Sequence, residues 1–200
     1  MGELTGSIGP AARHLCIDMQ LLFSREGPWP TSWMERVLPV VLRLAERSAQ
    51  RTIFTRFITP RQPEGMPGVW REYYRKWRDA TREHLDPALL DLMPELRRLA
   101  PPALVFDKMV YSAFADGRLH QMLREDGVDT LIVTGSETDV CVLASVLAAV
   151  DHGYRVVLAR DAVCSSSDRA HDALLELYRA RFDLQIEIAE ADQILEVWQL

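Results

Sequence analysis

The stretch Thr130–Val150, TLIVTGSETDVCVLASVLAAV, decides how the rest of the chain is interpreted. Its first residues, Thr130–Thr134, form a short apolar run typical of a buried β-strand, and a polar turn, Ser136–Asp139, follows. Cys141 then begins an apolar helical segment that no glycine or proline interrupts before Gly153. The stretch therefore predicts a strand, a turn and a helix, with a thiol near the helix N-terminus.

A thiol at this position is a candidate nucleophile. Unpaired backbone N–H groups and the positive end of the helix dipole favour a thiolate over a thiol. The same N–H groups, here those of Glu137 and Cys141, can bind the oxyanion that forms when the sulfur attacks a carbonyl. The alternative is that Cys141 is a compact core residue, since buried cysteine often has that role.

Composition limits the class of protein. A chain of 200 residues with 48% hydrophobic content suits one α/β domain, which we place at residues 13–200 behind a disordered lead-in at residues 1–12. The net charge of −6 argues against nucleic acid or an anionic membrane as a partner, and no apolar run reaches the roughly 20 residues that span a bilayer. Three irregularly spaced cysteines form no disulfide framework, so we expect a cytoplasmic protein with reduced thiols.

Predicted strands and helices alternate along the chain, and no repeat or low-complexity tract divides it. The predicted strands cover residues 14–18, 51–57, 103–106, 130–134, 155–159 and 184–188. The predicted helices cover residues 33–49, 69–77, 87–92, 119–125, 139–152, 167–181 and 190–198. This alternation indicates a mostly parallel sheet with helices on both faces. Ligands bind such sheets beyond the carboxyl ends of the strands, near the point where strand order reverses.

Three reactive residues lie at or just after predicted strand ends, namely Asp18, Lys108 and Cys141. We expect them to meet at one edge of the sheet although they are far apart in sequence. Lys108 favours the Cys141 thiolate by opposite charge, and Asp18 can accept the thiol proton and return it to a leaving amine. The three residues thus suit covalent hydrolysis through an acyl-thioester.

Each member of this set also has an ordinary structural interpretation. Asp18 can be a turn or cap residue, and Lys108 can be a surface lysine paired with Asp107. Cys164 competes with Cys141, because it also follows a predicted strand, but it lies in a serine-rich turn with no helix beginning directly on it. We therefore assign Cys164, like Cys16 in the first strand, to the core.

Four segments resemble the isochorismatase-like cysteine hydrolase superfamily: HLCIDMQ, FDKMVYSAF, VTGSETDVCVLAS and GYRVVLARDAVCSS. The resemblance runs from about Arg13 to Ile188. It implies a three-layer, Rossmann-like fold with a six-stranded parallel sheet flanked by helices, and a catalytic triad of Asp18, Lys108 and Cys141. It also implies a cis peptide bond between Ser136 and Glu137, in the elbow that Thr138 continues.

The departures from the family pattern bear on chemistry. Nicotinamidases of the family have an Asp/His metal site after the second strand, where this chain reads RFITPRQPEG, so we predict neither a metal nor another cofactor. The KMVYSAF segment resembles true isochorismatases, whose vinyl-ether hydrolysis depends on the Asp. Because Cys141 is kept, we favour C–N hydrolysis of a small amide or ureido substrate, with vinyl-ether hydrolysis as the second hypothesis. A catalytically silent assembly partner is the third.

The substrate pocket is predicted from side chains near the catalytic strand ends and on one aromatic helix. These are Gln20, Phe23, Trp29, Arg56, Trp70, Tyr74, Tyr111 and Phe114. The helical stripe Trp70, Tyr73, Tyr74 and Trp77 can form a lid over the site, a core face or a subunit contact. Arg56 can hold a substrate carboxylate or form a surface salt bridge. We also expect a homo-oligomer, a dimer or a tetramer.

Overall fold

A six-stranded sheet forms the centre of the computed structural model, which describes residues 4–200. Its strands are β1 (Arg13–Ile17), β2 (Thr52–Phe57), β3 (Leu104–Lys108), β4 (Thr130–Ser136), β5 (Arg155–Cys164) and β6 (Ile186–Ala189). All neighbours run parallel, in the order β3-β2-β1-β4-β5-β6. The predicted α/β class and the six-stranded parallel sheet are confirmed.

Seven α-helices cover the two faces of the sheet. They are α1 (Met34–Arg47), α2 (Val69–Lys76), α3 (Pro94–Arg97), α4 (Arg118–Glu125), α5 (Leu143–Asp151), α6 (Asp168–Arg181) and α7 (Ala191–Val197). Strand alternation divides the core, so that Cys16 of β1 packs on one face while its neighbours Leu15 and Ile17 pack on the other. No helix within residues 4–200 is long and apolar enough to cross a membrane.

Several predicted elements differ from the structure: the helix predicted at residues 87–92 is a 3₁₀ helix at Pro87–Leu90, and two elements near the site differ in extent. The sequence predicts a fifth strand at residues 155–159, but β5 continues through Arg160 and Asp161 to Cys164. The charges are accommodated because Arg160 pairs with Glu190 and the Asp161 carboxylate accepts the N–H of Ala191 at 2.8 Å. The helix expected at residues 139–152 divides into a π-helical turn, Thr138–Val142, and α5.

The N-terminal segment corrects the expectation of a disordered lead-in. Thr5 donates to the Glu187 carboxylate through its backbone N–H at 2.8 Å and its hydroxyl at 2.9 Å. Ile8 is fully buried and bonds the backbone of Val197 and Gln199 at 3.0 and 2.8 Å. The partners lie at the opposite end of the sequence, so local composition gave no sign of them. Residues 1–3 of the predicted lead-in lie outside the described residues.

Strand order reverses between β1 and β4, which places the ends of these two strands side by side. Their close approach depends on Gly135, which pairs with Ile17 and has a φ of +110°. A Cβ at Gly135 would lie 2.0 Å from the carbonyl oxygen of Ile17. Only glycine fits here, and the fit brings the turn after β4 against the residue that follows β1.

We expect Gly135→Ala to lower the free energy of unfolding through a backbone collision as well as through its positive φ. The matched control is Gly153→Ala, where φ is +83° and no atom lies within 4 Å of the added Cβ. The control should lose about 1 kcal/mol for conformation alone, and Gly135→Ala should lose roughly 1–3 kcal/mol more. Urea denaturation of both variants measures the difference. Equal losses would contradict the close approach of β4 to β1.

Candidate active site

A buried ion pair joins the ends of β1 and β3. Asp18 follows β1 in a left-handed backbone conformation (φ 49°), and Lys108 ends β3. Lys108 Nζ lies 2.6 Å from Asp18 Oδ2, with 3% of the lysine side chain and none of the aspartate exposed. The ammonium also donates to the carbonyl of Val110 at 3.1 Å. The predicted alternative, a surface Lys108 paired with Asp107, does not describe this lysine.

Strand β2 lies between β1 and β3 and supplies a residue that the sequence did not single out. The Thr55 hydroxyl donates to Asp18 Oδ1 at 2.6 Å and accepts the Asp18 backbone N–H at 3.1 Å. Thr55 is completely buried. It therefore fixes the carboxylate oxygen that Lys108 does not bind, and it satisfies the backbone where the chain turns. A threonine inside a strand is common, so only its place opposite Asp18 reveals this role.

Cys141 completes the set from the π-helical turn after β4. Asp18 and Lys108 both lie near enough to its thiol to shift its pKa, and 5% of the residue is exposed. The structure therefore brings together the three residues that the sequence placed at separate strand ends. They meet at the reversal of strand order, where a parallel sheet presents its binding crevice.

The direction of the pKa shift at Cys141 runs against the sequence expectation of a stabilised thiolate. Burial raises the pKa of Cys141 most strongly, Lys108 lowers it, and Asp18 raises it again, with a net result well above the ordinary value. Burial alone lowers the pKa of Lys108, but Asp18 and Cys141 outweigh it and the net direction is upward. These directions favour a neutral thiol at Cys141 and an ammonium at Lys108.

The turn after β4 is held by hydrogen bonds on both sides. The backbone N–H groups of Val140 and Val142 both donate to the Glu137 carbonyl at 3.0 Å, so these two donors are occupied. The peptide bond between Ser136 and Glu137 is cis. Thr138 shares a 2.9 Å hydrogen bond with His171 of α6. The elbow is thus a fixed backbone structure beside the sulfur.

The serine-rich segment after β5 anchors the elbow side chains. Ser165 donates to the Asp139 carboxylate at 2.5 Å, and the Ser166 N–H donates to Glu137 Oε2 at 2.8 Å. Cys164 itself is buried, and burial raises its pKa to about 12. The segment supports the site, while Cys164 belongs to one hydrophobic core cluster and Cys141 to the other.

A cavity of about 130 Å³ opens onto Cys141. Its lining is mainly aromatic and comprises Phe23, Trp29, Phe57, Tyr73, Tyr111, Glu137, Val140 and Cys141. Phe23, Trp29 and Tyr111 were predicted as pocket residues. Phe57 and Tyr73 also line the cavity but were not predicted as pocket residues. Phe57 ends β2 close to the site. Tyr73 belongs to the aromatic helix, where helical spacing alone does not show which ring faces the cavity.

Three predicted pocket residues have other positions. Gln20 is buried and accepts the Phe57 N–H at 2.6 Å while donating to a carbonyl at 2.7 Å, so it joins backbone segments beneath the cavity. Arg56 forms a bidentate pair with Asp107 at 2.7 and 2.9 Å, which matches the salt-bridge alternative. Phe114 packs against His152 with ring centroids 5.6 Å apart, in the core on the opposite face.

The aromatic stripe of α2 divides between wall and core. Tyr73 lines the cavity, and Trp70 packs on Tyr111 with ring centroids 4.7 Å apart. Tyr74 is completely buried behind them. Trp77 lies against Trp29 at 5.9 Å and stays partly exposed. Trp70 and Tyr74 therefore support the wall, although the sequence placed both in the pocket.

Within residues 4–200, no group of three or more His, Cys, Asp or Glu side chains is arranged to hold a metal ion. The segment after β2, residues 58–68, contains neither Asp nor His.

Comparison with known proteins agrees with the fold and shows the family. Residues 13–190 match the model of the isochorismatase domain. The chain belongs to the isochorismatase family. This isochorismatase-family chain is 35% identical over 79 residues to maleamate amidohydrolase of Pseudomonas putida, a match that spans 38% of the chain and 37% of that relative.

Two solved structures show the same fold as this isochorismatase-family chain. A cysteine hydrolase from Pseudomonas syringae superposes with a TM-score of 0.80 at 21% identity, over 93% of this chain and 91% of that one. N-carbamoylsarcosine amidase from Thermoplasma acidophilum superposes with a TM-score of 0.71 at 20% identity, over 90% and 96% of the two chains.

We expect the pKa of Cys141 to respond to its two charged neighbours in opposite directions. Asp18→Asn removes a negative charge and should lower the pKa, while Lys108→Met removes a positive charge and should raise it. At fixed pH near 8, iodoacetamide should alkylate Cys141 on the order of tenfold faster in Asp18→Asn and correspondingly slower in Lys108→Met. Peptide mass spectrometry against pH resolves each thiol.

Cys164 serves as the internal reference, because neither charged residue affects its pKa. Its alkylation should stay slow in both variants as long as circular dichroism shows an intact fold. A Cys141 rate that changes in the same direction in both variants would contradict the arrangement of charges.

Proposed function

We propose that this protein is a metal-free cysteine hydrolase that cleaves the C–N bond of a small amide or ureido substrate through an acyl-thioester on Cys141. The observation that carries the proposal is the meeting of Asp18, Lys108 and Cys141 below a cavity that opens on the sulfur. A nucleophile, a base and a cation in one buried site are the groups that amide hydrolysis through sulfur requires.

The first step transfers a proton and forms a bond. The Cys141 sulfur attacks the substrate carbonyl carbon while its proton moves to Asp18, and the carbonyl electron pair becomes an oxyanion. Backbone N–H groups of Glu137 and Cys141 in the elbow bind this oxyanion, each donor worth about 3 kcal/mol in such sites. Lys108 balances the charge of Asp18 before the transfer and the negative charge near the sulfur during it.

The remaining steps restore the resting site. The tetrahedral intermediate collapses, the C–N bond breaks, and Asp18 returns its proton to the leaving nitrogen, which departs as ammonia or an amine. A water molecule then loses a proton to Asp18 and attacks the thioester carbon. The acid is released, and the sulfur regains its proton from Asp18.

Relatives support the type of reaction. One of the sequence relatives is a maleamate amidohydrolase, and one of the structural neighbours is an N-carbamoylsarcosine amidase. The names of both proteins describe hydrolysis at a C–N bond. The predicted cytoplasmic location and homo-oligomeric assembly stay predictions.

We expect Cys141→Ala to abolish amide hydrolysis, because no other sulfur faces the cavity. With a panel of primary amides and ammonia release as the readout, the loss in kcat/KM should be at least about a thousandfold. Cys164→Ala is the matched control, since it removes a second buried thiol outside the cavity. Full activity in Cys141→Ala would refute the mechanism.

The vinyl-ether hypothesis gives a different pattern in the same variants. Isochorismate hydrolysis led by Asp18 would release pyruvate in wild type and in Cys141→Ala, but not in Asp18→Asn. This pattern, together with no ammonia from any amide, would replace amide hydrolysis as the function. We expect no pyruvate release.

A further inference from the structure

The walls of the cavity limit which substrates can bind more than the reactive residues do. Five aromatic side chains line it, namely Phe23, Trp29, Phe57, Tyr73 and Tyr111. Trp29 is central to this group, with ring centroids 6.1 Å from Phe23, 6.2 Å from Phe57 and 6.1 Å from Tyr73. Rings that hold one another in this way form a rigid, apolar enclosure suited to a flat group.

Charge on the cavity wall has one sign. Glu137 is the charged residue among the eight that line the cavity, and its Oε2 accepts both the N–H and the hydroxyl of Ser166. These two bonds fix the carboxylate in place. A negative charge therefore lies at a defined point of the wall, near enough to the Tyr73 and Tyr111 phenols to raise their pKa values.

The positively charged side chains near the cavity are already paired with other protein groups. Lys108 is bound to Asp18 and to the Val110 carbonyl, and it serves the proposed chemistry. Arg56, the predicted carboxylate-binding residue, is paired with Asp107 and also lies 3.4 Å from Asp91. Among the residues lining the cavity, none offers a positive charge to a substrate carboxylate.

An anionic acyl group would lose its water in this cavity without gaining an ionic partner, and it would face Glu137. Burial of an unpaired charge is strongly unfavourable, and a like charge adds to the penalty. The pKa values of two tyrosines on the wall agree with a buried, negatively charged environment. The pKa values of Tyr73 and Tyr111 are raised, first by burial and then by nearby groups that include Cys141 and Glu137.

We propose that the cavity selects small primary amides with a flat, uncharged acyl group, and that Glu137 rejects acyl groups that carry a carboxylate. This inference rests on the proposed amide hydrolysis and names its substrate class. It separates this chain from enzymes that act on amic or ureido acids, because such substrates carry a carboxylate that needs a cation.

Three probes with a common ring test the inference: benzamide, 3-carbamoylbenzoate and 3-(aminomethyl)benzamide. We expect kcat/KM for benzamide to exceed that for 3-carbamoylbenzoate by about a hundredfold or more, with the ammonium probe much less affected than the carboxylate probe. Glu137→Gln should raise the ratio of kcat/KM for 3-carbamoylbenzoate to kcat/KM for benzamide about tenfold, because it removes the like charge. Glutamine can still accept the Ser166 N–H, so the elbow is preserved.

Glu72→Gln is the matched control, since it makes the same charge change at an exposed position on α2 that does not line the cavity. It should not alter the preference among the three probes. A Cys141-dependent preference for 3-carbamoylbenzoate would overturn the inference while leaving the proposed function intact. Equal effects of Glu137→Gln and Glu72→Gln would also overturn the role of Glu137.

A binding measurement decides the inference even if no probe is hydrolysed. Trp29 lines the cavity, so quenching of tryptophan fluorescence in Cys141→Ala reports occupancy without turnover. Benzamide should bind at least about tenfold more tightly than 3-carbamoylbenzoate. Equal or tighter binding of the carboxylate would overturn the inference, whereas loss of hydrolysis with the expected binding order would count only against the proposed function.

Discussion

The buried ion pair between Asp18 and Lys108 is the interaction on which the site depends. Taking a carboxylate and an ammonium out of water costs several kcal/mol for each ion, roughly, and good geometry must offset this. The 2.6 Å contact, the Thr55 hydroxyl and the Val110 carbonyl supply that geometry. Each partner comes from a different segment, so the pair also fixes β1, β2 and β3 relative to one another.

In the proposed mechanism, the same pair determines how the sulfur reacts. A thiolate at Cys141 would place a second negative charge beside Asp18 in a site with little water, and burial disfavours it further. A neutral thiol places no second negative charge beside Asp18 before the substrate carbonyl binds. The proton can then move to Asp18 as the sulfur bonds to carbon, so negative charge passes to the oxyanion and Lys108 keeps a negative neighbour throughout. The ion pair thus makes a buried thiol usable without ionising it in advance.

The sequence predicted that Asp18, Lys108 and Cys141 would meet, because their positions follow from topology. In a parallel sheet, residues after strand ends share one edge, so these three can be placed together from the strand pattern alone. Cys141 does lie just before a helix, since α5 begins at Leu143. Burial nevertheless shifts its pKa away from the predicted thiolate, because the degree of burial depends on the loops that cover the edge and not on the helix itself.

The pocket was less predictable for a related reason. Gln20 and Arg56 stand near catalytic strand ends, but buried backbone groups and Asp107 take up their polar atoms. Thr55 had no distinguishing pattern inside its strand, and Tyr73 could not be separated from Tyr74 by helical spacing alone. Which side chain faces the cavity depends on strand register and loop path, and neither is encoded in a local motif.

The most direct measurement asks whether the Cys141 sulfur bonds to a carbonyl carbon. Benzaldehyde labelled with ¹³C at its carbonyl can be added to the protein and followed by ¹³C NMR. An active thiol should convert the carbonyl signal into that of a tetrahedral thiohemiacetal, which should be absent in Cys141→Ala and weakened in Asp18→Asn. If the wild-type protein showed only free aldehyde and its hydrate, Cys141 would not be the nucleophile.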